Sequence, residues 1–93
     1  MTTAYRLEYA ASCREQVRAL PPEIKSVLRS RLDSLQSSPH AGKCLERELA
    51  GYRSLRASRF RIIYRVDDES RVLRIHYIGH RKDVYELFAQ RLV

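Results

Sequence analysis

Residues 60–78 read FRIIYRVDDESRVLRIHYI, and their period decides the fold. Phe60, Ile62, Tyr64 and Val66 alternate with Arg61, Ile63 and Arg65, the repeat of a strand with two unlike faces. Asp67, Asp68, Glu69 and Ser70 form a polar break too short for a crossover. The run that follows must therefore return antiparallel. In that run Leu73, Ile75 and Tyr77 share one face, and Val72, Arg74, His76 and Ile78 the other. Upstream, after Gly51, residues 52–58 supply a further basic strand. Three strands thus meander in chain order.

Before the meander the period changes. Tyr5-Arg6-Leu7-Glu8-Tyr9 alternates like a half-buried strand. Cys13, Val17 and Leu20 recur at helical spacing, with Ser12 and Glu15 at the spacing of a capping box. Pro21-Pro22 ends that helix, and Pro22 suits the first turn of another. Ile24, Val27, Leu28, Leu32 and Leu35 give the second helix its apolar stripe. So short a link predicts a helical hairpin. Residues 39–51 read as a connection pinned by Leu45 and Leu49, and residues 83–92 as a short C-terminal helix.

The expected fold class is therefore α+β. It has an N-terminal strand, a helical hairpin, a three-stranded antiparallel meander and a short last helix, in one domain over residues 1–93. The hairpin should cover one sheet face. The other should stay partly open and carry arginines.

No long apolar run marks a membrane span, and the first residues lack the pattern of a signal peptide. The expected location is cytoplasmic, with Cys13 and Cys44 as reduced thiols. The net charge is +7, and it is not spread evenly. Residues 51–82 carry nine Lys/Arg against three Asp/Glu, and fifteen of the eighteen basic residues are arginine. Arginine matches phosphate bidentately, so a phosphate-rich partner is implied.

Alternation puts Arg61 and Arg65 on one face. Arg53, Arg56 and Arg59 come from the neighbouring strand or its turn, and Arg74 and Arg81 from the next. Some of these, Arg65, Arg71 and Arg74 above all, could simply pair with acidic neighbours. Interleaved aromatics suit stacked single-stranded bases, with Tyr52 and Tyr85 as the exposed candidates and Phe60 and Tyr64 as core. No carboxylate cluster has the spacing of a Mg²⁺ site, so no metal or cofactor is expected. Cleavage of RNA by its own 2′-hydroxyl remains open. It needs a base, cations for the developing charge and an acid for the leaving oxygen. Arginine supplies charge but keeps its proton. The stretch Gly79-His80-Arg81-Lys82-Asp83-Val84-Tyr85 offers proton carriers in His80, Tyr85 and Asp83. The plain alternative is a polar surface turn.

Three stretches give the chain a family likeness. They are Leu49-Ala50-Gly51-Tyr52-Arg53-Ser54-Leu55-Arg56, Phe60-Arg61-Ile62-Ile63-Tyr64 and Ile78-Gly79-His80-Arg81-Lys82-Asp83-Val84-Tyr85. With the element order, they make the chain resemble the RelE/ParE superfamily of toxins from type II toxin–antitoxin systems, over nearly its whole length. The RelE branch is the better match. That resemblance implies a metal-independent, ribosome-dependent mRNA endonuclease acting in the ribosomal A site. A cognate antitoxin would silence it in a hetero-oligomer, lying over the hairpin or sheet edge or displacing the last helix. It implies catalytic roles for Arg61, Arg81 and Tyr85. Well-known members carry two lysines on the first meander strand, where this chain has Arg53, Ser54 and Arg56. That departure raises the standing of His80 as a proton carrier. Arg53, Arg56, Arg59, Lys82 and Tyr52 are then the expected RNA-binding residues. The ParE branch, which poisons DNA gyrase, and a non-catalytic RNA- or ribosome-binding module are the competing readings.

Overall fold

The computed structural model describes residues 4–92. The chain runs β1 (Arg6–Tyr9), α1 (Ala11–Ala19), α2 (Pro22–Ser37), β2 (Lys43–Cys44), a 3-10 turn (Arg47–Leu49), β3 (Arg53–Ala57), β4 (Phe60–Asp67), β5 (Val72–His80) and α3 (Val84–Arg91). The α+β class and the meander are as the sequence predicts. One sheet holds all five strands in the order β1-β5-β4-β3-β2. β3, β4 and β5 pair antiparallel, and β1 adds parallel to β5. The crossover through α1 and α2 makes that parallel pairing possible.

The apolar stripe of α2 does what its spacing demands. Ile24, Leu28, Leu32 and Leu35 are buried with Cys13 and Leu20 against Ile62, Tyr64, Leu73, Ile75 and Ile78. Each fully buried side chain of this size contributes about 1.5–3 kcal/mol. Both helices thus lie on one face. Burial pushes the Cys13 thiol up to about 11, which leaves it protonated and inert. Cys44 is exposed, and both cysteines are free thiols. Pro22 stands in the first turn of α2. The capping box is not formed: α1 begins at Ala11 behind Ala10, with no side-chain cap. Ser12 lies inside the first turn, where its hydroxyl is past the cap position.

The second sheet face is less open than expected. Leu49, Ile63, Tyr77, Val84 and Phe88 form a second buried cluster there, with α3 as its lid. The placement of Tyr77 departs from simple alternation. Ile63 pairs with Tyr77 but Tyr64 pairs with Ile75, so His76 is an extra residue in β5. This bulge resets the parity. Ile75 and Ile78 both reach the hairpin face, while His76 and Tyr77 both face Phe88.

Residues 39–51 contain the two-residue β2 and the 3-10 turn. Tyr64 holds this connection from the core. Its buried hydroxyl donates to the Pro39 carbonyl at 2.9 Å and accepts from the Gly42 amide at 2.9 Å. Gly42 is required there, because a Cβ would collide with the Tyr64 ring and hydroxyl.

Candidate active site

The second face of the sheet positions two of the four expected catalytic groups, Arg61 and Tyr85. Arg61 stands on β4 opposite Gly79 of β5 and Arg56 of β3. Two like charges face to face repel, and the two guanidiniums diverge. Arg56 Nε donates to the Ser58 carbonyl at 2.9 Å. Arg61 NH1 donates to Ser54 Oγ at 3.1 Å.

Ser54 lies on β3 across from Ile63, and it is 1% exposed. A second donor reaches the same oxygen. The Tyr85 hydroxyl, from the first turn of α3, lies 3.1 Å from Ser54 Oγ. One hydroxyl therefore joins a guanidinium from the sheet to a phenol from the last helix. Alternation places Ser54 among the basic residues of its strand without marking it as a site residue. Its signal is a small polar side chain at an inward strand position between arginines.

Gly79 lets α3 come this close. A Cβ at Gly79 would stand 3.0 Å from Val84 Cγ2 and 3.0 Å from Tyr77 Cε2. Val84 is fully buried and begins α3, and Tyr85 is the next residue. The spacing from glycine to tyrosine in this motif is thus a packing requirement as well as a chemical one.

Arg81 follows the end of β5, and its amide donates to the Arg59 carbonyl at 2.9 Å. Its side chain is exposed, as is that of Lys82. His80 is half-buried, with its ring centroid 5.7 Å from that of Phe60. The Lys82 amide lies 3.4 Å from His80 Nδ1, a long contact that leaves Nε2 for other partners. Arg59 sits in the β3–β4 turn, its guanidinium 5.8 Å from the Phe60 ring and 3.8 Å from the Glu23 carboxylate. The preceding Ser58 has φ +60°, a left-handed residue that tightens this turn.

Two expected RNA-binding residues are engaged elsewhere. Arg53 NH1 donates to the His40 and Gly42 carbonyls at 3.0 and 2.9 Å. Its register partner is Tyr64, so it belongs to the hairpin face and not to that of Arg61. Tyr52 packs edge-on to His76 and Phe88, with the Arg65 guanidinium 5.1 Å above its ring. Arg74 pairs with an acidic neighbour, as one of its two readings had it: Glu8, its register partner on β1, at 3.2 Å. Among the described residues, Arg56, Arg61, Arg81 and Lys82 have no carboxylate partner. No three His, Cys, Asp or Glu side chains among the described residues group as metal ligands.

Tyr85 also forms one wall of an open cleft with Leu49, Ala89 and Leu92, to which Glu48 and Glu86 contribute. The arrangement offers a guanidinium and a phenol held by one buried hydroxyl, exposed cations without carboxylate partners among the described residues, and an apolar wall. His80, paired with Phe60 across the ladder, stands toward the hairpin face at the edge of this group.

Comparison with known proteins agrees with this architecture. A family profile described as "ParE toxin of type II toxin-antitoxin system, parDE" matches residues 7–85. Toxin RelG of Mycobacterium tuberculosis is 36% identical over 83 residues, spanning 87% of this chain and 95% of that protein. A chain of the M. tuberculosis RelBE2 toxin–antitoxin complex superposes with a TM-score of 0.76 at 35% identity, over 84% of this chain and 99% of that one. A mutant E. coli RelE toxin in the free state superposes with a TM-score of 0.74 at 26% identity, over 97% of this chain and 99% of that one.

Proposed function

This chain belongs to the ParE toxin family within the RelE/ParE superfamily of type II toxins, and on that footing we propose that it is a metal-independent, ribosome-dependent mRNA endonuclease. The observation that carries the proposal is the convergence of Arg61 and Tyr85 on Ser54, in a chain whose Arg56, Arg81 and Lys82 have no carboxylate partner among the described residues. RNA cleavage has a use for a phenol fixed beside an arginine, as a proton carrier next to a charge for the developing oxyanion.

In the proposed reaction the 2′-oxygen of one nucleotide attacks the adjacent phosphorus. The bond to the 5′-oxygen of the next nucleotide breaks, leaving a 2′,3′-cyclic phosphate and a 5′-hydroxyl. His80 accepts the 2′-hydroxyl proton. Tyr85 gives a proton to the departing 5′-oxygen and offers its ring to a base. Arg61 and Arg81 stabilise the charge that grows on the phosphoryl oxygens. Arg56, Arg59 and Lys82 hold flanking phosphates by charge. The step as written uses groups that this chain carries. The ribosomal A site supplies the mRNA, the cytoplasm is the compartment, and a cognate antitoxin forms the silencing hetero-oligomer. Relatives of this chain are known from such complexes.

A second reading, inhibition of DNA gyrase, rests on the description of the matching family as ParE. Induced expression of the wild type and of the Arg81→Ala/Tyr85→Phe double variant separates the two. Primer extension should show translation-dependent cuts within codons for the wild type and none for the variant. Growth arrest without mRNA cuts, unchanged in the variant, would favour gyrase.

A further inference from the structure

We propose that Ser54 is the positioning residue of this site, a buried hydroxyl that orders Tyr85 and Arg61 for proton and charge transfer. The inference rests on the nuclease reading above and extends it to a side chain that cannot itself touch RNA.

Among the described residues, Ser54 is the one buried side chain that is neither aliphatic, aromatic nor a thiol. A serine in a sheet otherwise lined by Ile, Tyr and Val has no packing reason to be there. Its hydroxyl has two acceptor positions and one proton. The acceptor positions receive Arg61 NH1 and the Tyr85 hydroxyl, both at 3.1 Å. These two groups come from different elements, β4 and α3, and among the described residues their side chains make no other hydrogen bond. Packing half-buries both side chains, and Ser54 is what fixes the direction of their polar ends.

The hydroxyl does more than hold. Arginine can only donate, so the Arg61 bond keeps one fixed direction. The serine–tyrosine bond is between two hydroxyls and can reverse. Once the bond reverses, with Ser54 donating to the Tyr85 oxygen, the phenol's own proton is free to turn to the 5′-oxygen, and after its transfer Ser54 keeps donating to the phenolate. The Arg61 donation polarises that hydroxyl and strengthens the bond. No proton is lost from Ser54: one O–H bond breaks at Tyr85, one forms at the leaving oxygen, and Ser54 re-aims its own. Ser54 thus acts through Tyr85, and its contribution appears in the rate of the step and not in RNA affinity.

Single-turnover cleavage of a defined mRNA on stalled ribosomes tests this, with wild type, Ser54→Ala and Ser54→Thr. Thermal melts, together with amide spectra of the free proteins, serve as fold controls. The alanine variant removes one oxygen from a buried site and leaves the chain folded. The expected result is a maximal rate down by roughly 10- to 100-fold, with the half-saturating toxin concentration unchanged. Threonine keeps the hydroxyl and should restore most of the rate. If its extra methyl fails to fit, Ser54→Ala combined with Tyr85→Phe replaces it: Ser54→Ala should slow the Tyr85→Phe protein by a smaller factor than it slows the wild type, the remainder being its hold on Arg61. A folded Ser54→Ala variant cutting at the wild-type rate, or losing affinity in place of rate, overturns the proposal. A wild type that cuts nothing overturns the nuclease reading and this one with it, an outcome distinct from a silent Ser54 substitution.

Discussion

Arg61 and Gly79 stand directly opposite each other across the β4–β5 ladder, so the guanidinium of the site has a bare backbone as its neighbour. That bareness admits α3, because Val84 occupies the space a Cβ at Gly79 would need. Gly79→Ala should therefore act at two levels. Overpacking against Val84 and Tyr77 should lower stability by about 1–3 kcal/mol, read as a shift of the urea midpoint. The same displacement should move Tyr85 away from Ser54 and slow cleavage. A variant with wild-type stability and activity would show that α3 is not seated by this contact.

The charged contribution of Arg61 can be separated from its hydrogen bond. Arg61→Ala removes both and should lower the cleavage rate by roughly 10²–10³-fold, the usual cost of deleting a group that meets developing oxyanion charge. Arg61→Lys keeps the charge but not the planar donor fork. Its rate should fall between the two. A lysine variant as slow as the alanine variant would assign the loss to geometry and not to charge.

His76 gives the fold a pH dependence of known sign. Burial, then the nearby Arg74 and Arg65 guanidiniums, holds its imidazole below the ordinary value of 6.5. Its Nε2 is buried with no hydrogen-bond partner among the described residues. Above pH 6.5 the ring is neutral in both the folded and unfolded chain, and stability is fully present. As pH falls below 6.5 the unfolded chain binds the proton first, so stability falls until the folded ring also titrates. Urea midpoints should drop as pH is lowered from about 7.5 to about 5.5. In His76→Phe, which keeps a ring against Tyr52 and Phe88, the drop should shrink. An unchanged drop would place the titrating group elsewhere.

Tyr64 makes a different prediction, because its ring is core and its hydroxyl is a clamp. Tyr64→Phe keeps the packing against α2 but leaves the Gly42 amide and Pro39 carbonyl without their partner. Stranding buried polar groups costs about 1–3 kcal/mol. Urea unfolding should report that loss with cleavage retained, since this clamp lies on the hairpin face.

Much of this is legible in the sequence, for identifiable reasons. The apolar spacings from Ile24 to Leu35 and the alternation from Phe60 to Val66 are long, regular signals, and they set the helices and the meander. The likeness around Arg61, Arg81 and Tyr85 points to residues that the structure places on β4, after the end of β5 and on α3. Two features are hidden. A bulge leaves no mark in a period-two reading, which therefore assigns Tyr77 and Ile78 each to the wrong face. Ser54 is visible only as a departure from a lysine pattern. Its meaning appears once β3 faces β4 and α3 folds back, a contact between residues 31 apart in the chain. The helix cap expected at Ser12 is a local pattern that the strand-to-helix connection at Ala10 displaces.

The basic residues of the meander divide into two groups, and one experiment separates them. Arg53 spends its NH1 on two loop carbonyls. Arg53→Ala should cost about 1–3 kcal/mol of stability and leave the salt dependence of RNA binding unchanged. Arg56, Arg59 and Lys82 are exposed, and Arg59 meets Glu23 only as a 3.8 Å surface pair. Such pairs contribute little to stability. Replacing these three by alanine should leave the urea midpoint near that of the wild type. Removing one cation that meets a phosphate should reduce the slope of log affinity against log salt by about 0.7 for single-stranded RNA. The triple variant should therefore show a slope lower by about 2, measured by fluorescence anisotropy with a labelled oligonucleotide across a salt series. A triple variant with an unchanged slope would mean that these cations do not meet phosphate, and an Arg53→Ala variant with a reduced slope would return Arg53 to the RNA surface.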